Sequence, residues 1–520
     1  MRLRGNLSRL LTCASFGAGL GAALAGCADL EVTNPNEPSL ETFWKTPQDA
    51  LRGTNAVYAG LLPLGTYGRW QAFAYDIRSD VGTARISPWG DLANYNRFVL
   101  NNYDFDINRD MWNDHFRGIS RANQVIAYVP NIEMDAALRD RYVGEARFIR
   151  ALLYYNAVNL WGGNIPLVTE PVTEPATRPG SSTMAAVYAQ IEADVTQAAA
   201  ALPATYDQSD VGRATKGAAL ALLGKAQLQQ HKWAEAAATL QQVIASGTYQ
   251  LVPNYADNFT SLNENNSESV FEVQTGGEET LASNVPGLSF TRMIGPCHPD
   301  FQITYCDGRP TRWYYEQFLQ EQTQGGEPDP RLDATLFYNK PGSDEVVFGR
   351  PLSDLFVDKP DTEIREDTLI FFKKFEEYYV PEFPQRWDNP TNYRVIRYAD
   401  VLLMQAEALN EQNQPAAALP FINEVRRRVN LAPLSTLDQA TLRDRIYHER
   451  LLELGLEGQR WFDIVRRYDL ANQPMPADVL AELKTHDDDF NSFQPGKSER
   501  LPIPSSETGV NANITQNPGW

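Results

Sequence analysis

The chain has 520 residues, with 46 basic and 66 acidic side chains and a net charge of −20. A balance this acidic repels phosphate backbones and anionic lipid surfaces, which argues against nucleic acid as a partner. It suits a body that stays soluble and meets neutral ligands.

Arg2, Arg4 and Arg9 precede an uncharged run over residues 10–25 that is rich in glycine and alanine. That run is too short for a good membrane span and reads as the apolar core of a signal peptide. It ends in Leu24-Ala25-Gly26-Cys27. Small residues just before a cysteine resemble the lipobox of bacterial lipoproteins. There the chain is cut before the cysteine, whose thiol carries diacylglycerol and whose new amine is acylated. The competing reading is an ordinary signal peptide with an incidental cysteine. Several acyl chains on Cys27 would anchor stably, each buried methylene adding roughly 0.8 kcal/mol. Ala28 follows, so the aspartate typical of inner-membrane retention is missing, while Asp29 and Glu31 resemble a surface-export signal. Residues 27–520 keep 43 basic and 66 acidic side chains, a net charge of −23.

Residues 28–45 read as a polar tether. Thr46 and Pro47 then mark a helix start, as N-cap and first helical residue. Residues 142–160 predict a strong helix, with Ala146, Ile149, Leu152, Leu153, Asn156 and Leu160 at three-to-four spacing. Gly162-Gly163-Asn164 stops it. Thr183 opens a further helix to about Leu202. Residues 213–246 read as a helix pair broken at His231-Lys232, and 395–430 as a second pair with Pro420 disturbing its later helix. This small-residue spacing resembles a tetratricopeptide repeat, roughly 34 residues of helix–turn–helix. One more helix is expected over 439–467. Residues 62–110 and 250–392 carry Gly/Pro breaks, scattered aromatics and short β-like runs such as Ser269–Val273 and Leu369–Phe375. They are the expected site-bearing insertions, since repeats hold loops in place.

Seven stretches in register resemble one family, the RagB/SusD nutrient-uptake lipoproteins. They are Phe43–Leu61, Gly144–Val168 (GEARFIRALLYYNAVNLWGGNIPLV), Asp329–Tyr338, Tyr393–Glu411 (YRVIRYADVLLMQAEALNE), Ile422–Leu431, His448–Arg467 and Leu501–Trp520. The resemblance implies a mostly α fold of tetratricopeptide-like helix pairs with irregular, loop-rich insertions and short β segments. It implies a surface lipoprotein on the outer membrane that captures an oligosaccharide, or sometimes a peptide, and caps a SusC-like TonB-dependent transporter. It implies no catalysis and no cofactor. The expected division is a signal peptide over 1–26, a lipid-anchored tether over 27–45, helical parts over 46–250 and 393–520, and a ligand-loop region over 251–392. Residues 46–520 are expected to form one compact unit.

Of the remaining cysteines, Cys13 leaves with the signal. Cys297 and Cys306, nine apart in an oxidising compartment, read as a disulfide closing a short loop. The rival is a metal site using His298 and Asp300, but no second Cys/His pair stands nearby. Asp487, Asp489 and Asn491 resemble the start of a calcium loop, yet Ser492 and Ser498 replace its glycine and glutamate. No metal site is expected. The charges of His448–Asp463 read as a buried ion network that fixes helix packing.

Ligand residues are sought among aromatics in the irregular regions, because flat apolar faces stack on sugar rings while amides and charges bond hydroxyls. One set is Trp89, Asp91, Asn94 and Tyr95, with Arg78 and Asp80 before it. The other is Trp313, Tyr314 and Tyr315. Core packing is the competing reading for each. Two other functions compete: a helical-repeat scaffold that binds only protein, and a surface glycoside hydrolase, for which 66 acids supply too many pairs to discriminate.

Overall fold

Helix starts are written locally in this chain. In the computed structural model, α1 (Pro47–Tyr58) opens on a capping box. The Thr46 hydroxyl accepts from the Asp49 N–H at 3.2 Å, and the Asp49 carboxylate accepts from the Thr46 N–H at 2.9 Å. The structure describes residues 43–84, 90–172, 177–276, 287–296, 304–356, 369–380, 389–468 and 473–520. Cys27, Trp89 and Cys297 lie outside the described residues.

After α2 (Gly90–Asn96) and α3 (Asp106–Tyr128) comes α4 (Ala136–Trp161), capped by Asp135, whose carboxylate accepts from the Leu138 N–H at 2.8 Å. From Phe148 to Trp161 every residue of α4 is buried. A helix buried on all faces belongs to the interior, and its neighbours pack around it. It ends at Gly162, whose φ of 72° is the left-handed conformation that glycine tolerates. Next are α5 (Met184–Ala201), α6 (Lys216–Gln229) and α7 (Trp233–Ala245), the first two capped by Thr183 and Thr215. The later helices are α8 (Arg312–Leu319), α9 (Tyr398–Glu411), α10 (Pro415–Arg428), α11 (Gln439–Leu454), α12 (Arg460–Arg466) and α13 (Ala477–His486).

Each helix from α3 to α6 packs on the next, α7 packs on α9, and α9 packs on α10 and α11. The pairs α6–α7 and α9–α10, distant in sequence, therefore belong to one stack, and Thr46–Trp520 forms one unit. Short antiparallel ribbons order the irregular regions, and one of them, β2–β8, joins them to the stack. β1 (Gly82–Ala84) pairs with β3 (Gly308–Pro310), and β2 (Ser269–Val273) with β8 (Tyr393–Arg397). β4 (Leu336–Tyr338) pairs with β7 (Ile370–Phe372), and β5 (Val346–Val347) with β6 (Arg350–Pro351).

Three features depart from the sequence pattern. Helix α3 is not among the expected helices, although its buried Ile107, Met111, His115, Ile119, Ala122 and Val125 recur at three-to-four spacing. Helix α10 runs unbroken through Pro420. The helix expected over 439–467 breaks at Gly455–Gln459, where Leu456 and Gly458 take φ of 64° and 71°. That turn sends Glu457 inward to Arg397 at 2.6 Å and Lys374 at 2.8 Å, and lets the Gly458 N–H donate to Asp76 at 2.7 Å.

The charged motif is interior. Arg397, buried, meets Glu268, Glu453 (2.9 Å) and Glu457. Arg331 meets Asp329 (2.7 Å), Glu449 (2.6 Å) and Glu453 (3.1 Å). A neighbouring group joins Arg450 to Asp400 (2.8 Å) and Asp463 (2.9 Å), with Lys225 on Asp400 and Arg466 on Asp463. Removing one partner strands buried charge. Arg397→Leu is therefore expected to cost about 3–5 kcal/mol, read as a lower urea midpoint. Arg312→Ala, which breaks the exposed pair with Glu316, is expected to leave the midpoint nearly unchanged.

Candidate functional site

Helix α8 carries three consecutive aromatics, and consecutive positions on a helix do not share a face. Tyr314 turns into the core, where its ring lies 5.1 Å from that of Phe318. Tyr315, half-buried, packs 5.4 Å from the Tyr338 ring and under the Arg312 guanidinium at 4.9 Å. Trp313, also half-buried, turns the other way. Its indole stacks on the His486 imidazole with centroids 3.8 Å apart and planes at 14°. The set read as one aromatic patch is thus split by helix geometry, and Trp313 and Tyr315 do not share a surface.

His486 ends α13 and places Nδ1 2.9 Å from Asp80 Oδ2. An ionised carboxylate only accepts, so Nδ1 carries the proton. Arg460, the first residue of α12, donates to both oxygens of Asp80 at 2.7 Å each, and its guanidinium lies 5.9 Å from the Trp313 ring. Burial alone would raise the Asp80 pKa. The Arg460 charge and the hydrogen bonds from Arg460 and His486 outweigh it and hold the carboxyl well below the usual carboxylate range.

The two sets of expected ligand residues therefore meet through Asp80, but in unexpected roles. Asp80 is fully buried and its carboxylate is occupied. Arg78 is buried too, its guanidinium 4.6 Å from the Phe98 and Trp461 rings and donating to the Ser498 carbonyl at 2.6 Å. Burial draws its pKa down to about 10, which leaves it charged near neutrality. Tyr95 packs beside it, and burial raises its hydroxyl pKa. The expectation that Arg78, Asp80 and Tyr95 line a ligand surface is corrected. They are interior, because a charge beside aromatics is stable when buried and partnered as well as when exposed. Asn94 stays half-exposed on α2.

Sequence reasoning missed His486 and Asp489 here, and placed Arg460 only in the buried ion network of His448–Asp463. Asp489 accepts from the Thr83 hydroxyl at 2.8 Å, Asn96 Nδ2 at 2.8 Å and Arg97 Nε at 3.1 Å, and so joins β1 and α2 to the turn after α13. The calcium-like spacing was the one signal at this place, and it marks a protein cross-link. Among the described residues no group of three or more His, Cys, Asp or Glu could hold a metal ion. Cys306 is buried and disulfide-bonded. Acids with raised pKa, the mark of a general acid, include Asp76 and Glu376 in the interior and Asp487 near the surface. Burial drives each, Asp76 and Asp487 to about 7. Other concavities lie elsewhere. A cleft of about 420 Å³ is lined by Tyr58, Leu62, Arg213 and Gln274, and one of about 290 Å³ by Trp112, Phe116, Val168 and Val510. Neither contains a residue singled out in the sequence as a ligand contact.

Known proteins share both the sequence pattern and this architecture. The family model described as the SusD family matches residues 238–520, and one described as starch-binding associating with outer membrane matches residues 32–228. The chain belongs to the SusD family. A SusD-like protein of Formosa agariphila is 28% identical, over 91% of this chain and 91% of its own. Among solved structures, a SusD superfamily protein from Bacteroides vulgatus superposes with a TM-score of 0.78 at 26% identity, covering 92% of this chain and all of its own. A laminarin binding SusD-like protein superposes at 0.71 with 29% identity and covers the same shares. The SusD-family fold is mostly helical, as here, and the family description associates it with the outer membrane. No helix among the described residues is long and apolar enough to cross a membrane.

The low pKa of Asp80 gives a pH test. The unfolded value is about 3.9, so the pair with Arg460 contributes in full above about pH 4 and is lost as pH falls through the lower folded value. Thermal melts are expected to show Asp80→Asn below wild type at pH 7. The gap should narrow as the solution is acidified below about pH 4.

Proposed function

We propose that this SusD-family protein is a lipid-anchored, non-catalytic lid. It captures a neutral glycan at the Trp313 surface and hands it to a SusC-like TonB-dependent transporter of the outer membrane. The observation that carries the reading is Trp313 itself. It is a half-exposed indole fixed on one side by His486, the arrangement that a sugar ring stacks on. Trp89 and Asn94, from the other expected set, and Tyr315 are proposed as separate contacts.

Three facts support the class of ligand and partner. A relative 29% identical over 92% of this chain is a laminarin binding protein. The family model over 32–228 is described as starch-binding. A net charge of −23 beyond residue 26 disfavours polyanionic glycans. Capture is equilibrium binding coupled to lid closure, with Cys27 as the proposed lipid-bearing residue, residues 28–45 as the tether and a Cys297–Cys306 disulfide closing the loop before α8.

Trp313→Ala is expected to weaken binding of laminari-oligosaccharides about tenfold or more by calorimetry. Wild type should release no reducing sugar from the same glycans, whereas turnover would favour a hydrolase. Cys27→Ala is expected to keep glycan binding in the purified protein and to leave the membrane fraction. If that variant stays with the membrane, the transporter contact and not the lipid is the main anchor.

A further inference from the structure

We infer that His486 is the positioning residue that holds Trp313 as a binding platform, acting through a closed circuit whose hub is Asp80. The inference rests on the reading of Trp313 as a ligand contact. Asp80 grips the platform from two directions. Its carboxylate takes His486 Nδ1 at 2.9 Å, and His486 lies flat under the indole at 3.8 Å. Its main-chain carbonyl accepts from the Thr311 hydroxyl at 2.7 Å, and the same hydroxyl accepts from the Tyr314 N–H at 3.2 Å as the N-cap of α8. Backbone and ring of Trp313 are thus set by one residue.

His486 is itself held directly by Asp80 and indirectly by its neighbours. Asp80 fixes its ring, Arg460 fixes Asp80, and Asp489 three residues on is tied to Thr83, Asn96 and Arg97. An indole that only filled space would not need a hydrogen-bonded imidazole parallel to it. A platform does, because an aromatic side chain free to rotate loses rotamer entropy each time a ligand orders it, and a preset ring does not. Asparagine can keep the bond to Asp80 without the flat face. Phenylalanine keeps the flat face without the bond.

Two measurements test the inference. With 5-fluorotryptophan incorporated, the Trp313 fluorine line, assigned through Trp313→Phe, is expected to be dispersed in wild type. It should move toward the free amino acid position in His486→Ala and His486→Asn and return only part of the way in His486→Phe, which keeps the flat face and loses the bond to Asp80. Laminarihexaose affinity should fall about tenfold in His486→Ala and recover to within about threefold in His486→Phe. Unfolding should stay cooperative in each. A His486→Ala protein whose fluorine line and affinity both match wild type overturns the positioning role, while loss of binding in Trp313→Ala alone keeps the ligand reading. If Trp313→Ala also binds as wild type, or wild type ignores the glycan, the ligand reading fails, and the fluorine lines decide the positioning.

Discussion

A fully buried guanidinium must find carboxylates, and at Arg397 it finds three from two distant stretches. Glu268 comes from just before β2, and Glu453 and Glu457 from the end of α11 and the turn after it. Arg331 shares Glu453 and adds Glu449. Such a network is weak evidence for extra stability, since an apolar core of the same volume can be as stable. Its force is geometric. Each stranded charge would cost several kcal/mol, so the stretches that supply partners have few alternative arrangements. The β2–β8 ribbon, the end of α11 and the loop before Arg331 are fixed together on these terms.

The break between α11 and α12 shows how this constraint reaches the surface. Glu457 must face Arg397 and Lys374, so the chain leaves helical geometry over Gly455–Gln459 and accepts a left-handed Leu456. Helix α12 then starts at Arg460, which the turn delivers to Asp80. Asp80 orients His486, and His486 supports Trp313. A half-exposed aromatic is thereby placed through contacts that begin in the ionic interior. The stack of helices carries this cluster without lining it.

Part of this was legible along the chain. Thr46 with Pro47, the period of residues 142–160 and the stop at Gly162 each act within a few residues, and each appears in the structure as α1, as part of α4 and as its end. The helix pairs near 213–246 and 395–430 follow for the same reason. Helix α3 was legible on the same terms, through Ile107, Met111, Ile119, Ala122 and Val125, although it was not among the expected helices. At the site, Trp313 and Asp80 were singled out, but nothing within either stretch said that His486 and Arg460, each more than 140 residues further on, would join them.

The sequence by itself determined the family, the mostly helical class and the list of chemically able residues, since these depend on local spacing and composition. Tertiary structure alone decided which able residues are spent inside. Arg78 went between Phe98 and Trp461, Asp80 to Arg460 and His486, and Tyr95 into the core, while Trp313 stayed half-buried. The reason is that burial and charge pairing are set by residues hundreds of positions apart, and the same arginine or aspartate is equally plausible in water or in a partnered interior until those residues arrive.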